Sequence, residues 1–474
     1  MKVILVASEC VPYCKTGGLA DVTRALYDEL KKQGIDVSLM LPYYKGVPAR
    51  GIASTELEFD VTLSGKHYTA RVFRSNDAYF IYNETLFYRD GLYGYNGDYE
   101  DNDLRFAFFS KAVLIALKKL GLRPHILHLH DWQAAPIAVF LKNSFKGDEF
   151  LKDIKTVLTI HNLGYQGIFD KRALRYLELD EKKFTPEYVE FYGKVNYLKG
   201  GILFSDLITT VSENYAREIL TEQYGAGLHG VLLKRRDVLY GIVNGIDYEV
   251  WSPETDPYIY TNYSEKNLRG KGLCKLSLIK ELGIRHKRQR PLVSFVGRLT
   301  GQKGIELLEE NLSFIIEQGC SMVILGEGEP AIERGLNKRL RKFNGQLALR
   351  IGFNEPLAHM VYAGSDIILM PSRYEPCGLV QLIALRYGTI PVARKTGGLA
   401  DTIKDYDPAS DQGTGFVFDD YNGSAFREAI KRALVVFYLK ARWRRIITSA
   451  MRERFSWKDS ALRYIQLYEG AIRN

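Results

Sequence analysis

Short apolar runs, each closed by a polar residue or glycine and followed by a helical pattern, recur along this chain and constrain its fold more than any other feature. "VILVA" (3–7), "HILHLHDW" (125–132), "TVLTIHN" (156–162) and "LITTVS" (207–212) carry the pattern in the first half. "LVSFVG" (292–297), "SMVILGEG" (321–328), "LALRIGF" (347–353) and "DIILMPS" (366–372) repeat it in the second. Strands that are apolar along their whole length are buried on both faces, and such strands joined through helices form parallel sheets. A chain of 474 residues is too long for one hydrophobic core, so two α/β domains are expected. Between the two series, "ETDPYIYTNYSEKN" (254–267) is polar and without period, and reads as the interdomain linker.

Composition excludes several function classes. No run reaches the eighteen or so apolar residues that a membrane span needs, and the N-terminus enters a strand without signal-peptide architecture, so a cytoplasmic protein with no membrane partner is expected. The five cysteines (Cys10, Cys14, Cys274, Cys320, Cys377) are odd in number and scattered without a C-x-x-C pair, which reads as reduced thiols and neither a disulfide frame nor a zinc ribbon. The formal charge of +9 is spread among 56 acidic residues, and "KRQR" (287–290) and "RWRR" (442–445) are short. That pattern fits solvated surface and an anionic small-molecule substrate, with no nucleic-acid partner.

The heptapeptide "KTGGLAD" begins at Lys15 and again at Lys395. Adjacent glycines between a strand and a helix permit a sharp turn and let a ligand approach the main chain. The helix N-terminus that follows favours an anion, and a lysine ahead of the turn adds a full positive charge. One such turn is common. Two, each beyond the carboxyl end of a strand in an open α/β sheet, point to a phosphate-bearing substrate held between two domains. Dinucleotide binding is disfavoured: the first strand runs into "SECVPYCKTGG" in place of G-x-G-x-x-G, and "GEGEP" (326–330) has only the first two glycines. A P-loop pattern is absent as well.

The blocks "KTGGLADV" (15–22), "HDWQAA" (130–135), "HNLGYQGIF" (161–169), "YGAGLHGVL" (224–232), "VNGID" (243–247), "GRLTGQKGIELL" (297–308), "SRYEPCGL" (372–379) and "KTGGLADT" (395–402) resemble, in order, those of the bacterial glycogen synthases and plant starch synthases. The resemblance implies an α/β GT-B fold, two Rossmann-like domains facing each other across a deep cleft. Residues 1–245 would form the acceptor-side domain with the KTGGL loop, residues 246–456 the donor-side domain, and a helix over about 457–474 would pack back on the first. It implies retaining transfer of glucose from ADP-glucose, with UDP-glucose as the alternative donor, to the non-reducing end of an α-1,4-glucan such as glycogen; a pyridoxal-phosphate-dependent glucan phosphorylase and an inactive glucan-binding protein are the remote alternatives. No metal or other cofactor is expected.

Arg298 and Lys303 follow the strand "LVSFVG" on a glycine-rich turn, where two cations can neutralise a diphosphate leaving group; the resemblance assigns them to the donor's phosphates. By the same resemblance Glu375 holds the donor sugar's hydroxyls, and Cys377, Gly378 and Leu379 offer backbone N–H groups. A second glutamate found eight positions after this one in wider GT-B relatives is replaced here by Ile383. His161 is placed beside the transferred glucose, its main-chain carbonyl facing the anomeric carbon. Lys15, Gly17, Gly18, Asp21 and Asn244 join the donor site, Lys15 also as a catalytic group. His130, Asp131 and Asn162 are expected on the acceptor side. "HILHLHD" invites a metal site, but zinc ligands converge from more than one segment as a rule, so none is assigned. Phe353 falls where the family stacks an aromatic on adenine.

Overall fold

The apolar runs become strands with few exposed positions, as in β1 (Lys2–Val6) and β6 (Ile126–His130). The structure is a computed structural model; it describes residues 1–473 other than Asp77, Asn96, Arg288, Arg341, Asn344 and Phe353. The chain divides into two compact units. One comprises Met1–Val211, Ala216–Ile242 and Trp457–Asn474, the other Ser212–Tyr215 and Val243–Ser456. No described helix is long and apolar enough to cross a membrane.

In the first unit the main sheet also contains β2 (Asp36–Pro42), β3 (Ala53–Leu63), β4 (Lys66–Arg74), β5 (Ala78–Tyr82), β7 (Lys155–Ile160), β11 (Leu207–Thr210) and β12 (Leu239–Gly241), in the order β12-β11-β7-β6-β1-β2-β5-β4-β3. A small separate sheet is made of β8 (Ile168–Phe169), β9 (Glu190–Phe191) and β10 (Lys194–Asn196). The seven strands from β12 to β5 pair in parallel, and β3–β4 is an antiparallel hairpin at one edge. That hairpin has one face in water, so its sequence alternates and does not form an apolar run. The terminal helix, Trp457–Arg473, packs on the helix Gly18–Lys32. Its Tyr468 hydroxyl lies 2.7 Å from His128 Nδ1.

The second unit holds β13 (Leu292–Val296), β14 (Ser321–Gly326), β15 (Leu347–Ile351), β16 (Ile367–Met370), β17 (Ile390–Arg394) and β18 (Phe416–Phe418), all parallel, in the order β15-β14-β13-β16-β17-β18. Counted within the unit, this is the doubly wound order 3-2-1-4-5-6, whose direction reverses between β13 and β16. Helices following β13 and β16 therefore lie on opposite faces, and the ends of these two strands are where open sheets of this kind carry their sites. The first unit has the same reversal between β1 and β6.

The segment 254–267, expected to be a linker, is instead built into the second unit. Asp256 is buried and accepts from His359 Nδ1 at 2.7 Å and from the Tyr387 hydroxyl, while Ile259 and Tyr263 join the core. Most of its polar residues do face solvent, and buried Asp256, Ile259 and Tyr263 are what fasten it to the unit. Apart from the short excursion Ser212–Tyr215, the chain changes unit at Ile242/Val243 and at Ser456/Trp457, and just inside the second unit Ile246 N–H donates to Phe455 O at 2.9 Å.

The two KTGGLAD copies are packed differently. A Cβ added at Gly17 or Gly18 would meet no heavy atom within 4 Å. At Gly397, whose φ is +45°, a Cβ would lie 1.9 Å from Glu375 O, and at Gly398 it would lie 2.1 Å from Cys377 O. The second pair of glycines is required by close main-chain approach; the first pair is not. Gly398→Ala should therefore lower Tm by at least about 3 °C, an overpacking cost of about 1–3 kcal/mol. Gly18→Ala should shift it by less than about 1 °C. Equal losses in calorimetric melts would contradict this difference.

Candidate active site

Strand ends at the two reversals supply the side chains. Beyond β1, Glu9 is buried and accepts from Thr16 N at 2.5 Å, Thr16 Oγ1 at 2.6 Å and Gly17 N at 3.1 Å. The Tyr93 hydroxyl donates at 2.6 Å to Glu9 Oε1, the oxygen that Thr16 Oγ1 also reaches. One carboxylate thus sets the conformation of the first glycine turn. Lys15 follows the strand and pairs with Asp21 in the first turn of the helix at 2.7 Å.

At the end of β6, Asp131 adopts φ +56° and accepts from His161 N at 2.7 Å, tying the end of β6 to the end of β7. His130 Nδ1 stands 2.9 Å from His161 Nε2 with the rings stacked, and His128 stacks beneath His130 at 4.3 Å. His128 also meets Thr159 Oγ1 at 2.6 Å. His130 is fully buried, so the expectation that it lines an acceptor surface gives way to a supporting position behind His161. Its Nε2 has no partner among the described residues. Asp131 likewise spends its carboxylate on main-chain N–H groups of His161 and Asn162. Asn162 Oδ1 accepts from Gly164 N at 2.9 Å, shaping the loop "NLGYQG".

In the second unit the loops after β13 and β16 meet at the reversal. Lys303 Nζ lies 2.6 Å from Glu375 Oε2, and Ser372 Oγ donates to the same oxygen at 3.1 Å. Arg373 N–H donates to Gln302 O at 2.9 Å, and Arg298 Nη2 to Gln302 Oε1 at 3.1 Å. Gly304, with φ +69°, packs so tightly on Pro371 that a Cβ would come within 1.8 Å of its carbonyl oxygen. Arg298 is exposed and Glu375 buried. Cys377 is buried beside Asn244, whose main-chain N–H reaches its sulfur, and burial pushes the thiol up to about 12. Asn244 Oδ1 is a buried acceptor with no partner among the described residues. Gly378 takes φ +74° and Leu379 leads into the helix Val380–Arg386. Phe353 lies outside the described residues.

Residues 2–234 match the family model described as the starch synthase catalytic domain, and residues 280–444 match that of the glycosyl transferases group 1. The glycogen synthase of Geotalea daltonii is 47% identical over 476 residues, covering 99% of this chain and 98% of that protein. The chain belongs to the glycogen synthase and starch synthase family. A glycogen synthase of Thermodesulfovibrio yellowstonii is 43% identical over 100% of this chain and 98% of the relative. The catalytic domain of starch synthase IV from Arabidopsis thaliana, described as bound to ADP and acarbose, superposes with a TM-score of 0.91 at 33% identity, covering 100% of this chain and 99% of that one. This synthase is therefore a glycosyltransferase with the GT-B fold.

Sequence reasoning missed Glu9, Tyr93 and Ser372, which hold the assigned residues in place. Glu9 had a signal, a lone acid at the end of an apolar strand and ahead of a glycine turn. Tyr93 had none, because it comes from a distant loop.

The stacked histidines make stability depend on pH. Burial lowers His128 and His161 from 6.5 to about 3, and lowers His130 well below its ordinary value. On acidification the unfolded chain protonates all three near 6.5 while the folded synthase holds them neutral, so stability falls. Asp131 opposes this: burial raises it from 3.8 to about 7, so the folded state takes that proton first and gains stability as pH falls through about 7 toward 3.8. Three groups outweigh one, each acting at about 1.4 kcal/mol per pH unit at most. Tm should fall from pH 6.5 toward pH 4, and less steeply in His128→Gln. Parallel slopes for the two proteins would contradict the assignment.

Proposed function

We propose that this synthase transfers glucose from ADP-glucose to the 4-hydroxyl at the non-reducing end of an α-1,4-glucan, with retention, releasing ADP. The observation that carries this reading is the 2.6 Å contact of Lys303 with Glu375 at the reversal of the second sheet. A cation and a carboxylate side by side suit a donor in which a diphosphate adjoins a sugar with free hydroxyls. The ADP named with the starch synthase IV catalytic domain supports the same leaving group.

In the proposed reaction Arg298 and Lys303 take up the charge that develops on the β-phosphate as the bond to the anomeric carbon breaks. Glu375 accepts hydrogen bonds from the sugar hydroxyls, and the N–H groups of Cys377, Gly378 and Leu379 serve sugar and phosphate. The leaving phosphate oxygen takes the proton of the acceptor's 4-hydroxyl while the new bond forms on the face just vacated, which retains configuration. The His161 carbonyl faces the positive charge at the anomeric carbon. Lys15, the open turn of Gly17 and Gly18, Asp21 and Asn244 complete the donor contacts. Asn162 belongs to the acceptor side, with His130 and Asp131 fixing the segment from behind. Fixed protein cations and main-chain N–H groups supply the positive field, so no metal enters the scheme.

Incorporation of labelled glucose into glycogen tests the reading. ADP-glucose should exceed UDP-glucose in kcat/KM by at least about tenfold, about 1.4 kcal/mol of transition-state preference, and the rate should be unchanged by EDTA. Equal use of both donors would overturn the donor assignment. Activity lost to EDTA and restored by Mg²⁺ would overturn the charge assignments.

A further inference from the structure

Cys10 and Cys14 look unrelated in sequence, yet the structure sets them opposite one another. Cys10 N–H donates to Cys14 O at 3.1 Å and Cys14 N–H donates to Cys10 O at 3.0 Å, an isolated antiparallel bridge. Residues that exchange both bonds in this way have Cα atoms about 5.5 Å apart and side chains on one face. A disulfide accepts Cα separations of about 4.4–6.8 Å. We propose that Cys10 and Cys14 form a dithiol site which small disulfide compounds convert to an intramolecular disulfide, and that this bond controls the first glycine turn.

Closure must draw the two Cβ atoms from about 4.5–5.5 Å, as in a directly opposed pair, to about 3.5–4.5 Å, as in a disulfide, in a loop with fixed neighbours. The three residues between the cysteines are held at their tip, the Tyr13 hydroxyl 2.9 Å from Ser75 Oγ and its ring edge-on to Phe80 at 4.9 Å. Cys10 Sγ donates to the main-chain Val11 O at 3.3 Å and Cys14 Sγ to the main-chain Ser8 O at 3.6 Å. Cys10 is buried and Cys14 partly exposed, so Cys14 is the entry point. Burial pushes the Cys14 thiol up to about 12, which keeps its thiolate scarce and makes the reaction slow.

The chemistry balances as thiol–disulfide exchange. The Cys14 thiolate attacks the reagent disulfide, releasing one small thiol and leaving a mixed disulfide. Cys10 then attacks that sulfur and releases the second. The protein loses two protons and two electrons, and the reagent gains both as two thiols.

Glu9 immediately precedes Cys10, and Lys15, Thr16 and Gly17 follow Cys14. Drawing the two sulfurs to about 2 Å shortens the rung next to the Glu9 contacts with Thr16 and Gly17 and turns Lys15 away from its present geometry. The loss of activity expected from this rests on the proposed function; formation of the bond does not, and the two have separate readouts.

The full-length protein is incubated with millimolar oxidised glutathione, alkylated, digested with trypsin and examined by mass spectrometry alongside initial-rate assays. The cut after Lys2 and Lys15 releases both cysteines in one peptide. That peptide should be lighter by about 2 Da than the reduced form and resist alkylation. kcat/KM for the nucleotide sugar should fall about tenfold, recover with dithiothreitol, and stay unchanged by oxidation in Cys14→Ser. Glutathione adducts without an internal bond, or no reaction after days, would overturn the site. A complete internal bond with unchanged kinetics would overturn its control of the turn. An internal bond in a protein inactive with every nucleotide sugar both before and after oxidation would leave the site standing and overturn the functional reading.

Discussion

The ion pair between Lys303 and Glu375 joins the loop after β13 to the loop after β16, and the chemistry of the second unit depends on that junction. The two strands pair side by side at the reversal, but beyond their ends the loops are joined only by contacts of their own. The pair does so in a largely buried setting, where removal of one partner leaves an uncompensated charge and costs several kcal/mol. The Ser372 hydroxyl and the Arg373–Gln302 main-chain bond extend the junction on either side. A donor bound as proposed would meet groups whose spacing is already fixed, which is the advantage of preorganised electrostatics.

The repeated heptapeptide is best understood through what each copy touches. The second copy is a buttress: Gly398 N–H donates to Glu375 O at 3.0 Å, and its two glycines are pressed against main chain from Glu375 to Cys377. Its ligand is the protein itself. The first copy is anchored by Glu9 from one side and left open on the side of its glycines. Identical letters thus give the same strand-to-helix turn in two similar sheets, with a different neighbour in each.

Much of this was legible in the sequence. Runs such as "LVSFVG" and "DIILMPS" located the parallel strands because full burial leaves no alternation, and the polar residues closing them marked where those strands end at the reversal. The edge hairpin β3–β4 escaped because half-exposed strands dilute the apolar signal. The segment 254–267 was misread because a polar, tyrosine-rich stretch looks the same whether it only meets water or, as at Asp256, also bonds to His359 and Tyr387 inside a core. Pairings such as His130 with His161, or Cys10 with Cys14, depend on register and loop geometry that composition does not encode.

The central claim is that the two copies share a turn and differ in work, and the kinetics of Lys15→Ala and Lys395→Ala test it most directly. Lys15 stands on the open turn, whereas Lys395 is exposed beside a turn whose glycines already face protein. With folding verified by thermal melts, Lys15→Ala should lower kcat/KM by about a hundredfold, about 2.7 kcal/mol of transition-state stabilisation, and Lys395→Ala by less than about tenfold. Equal losses would contradict the account and make the repeat a functional pair.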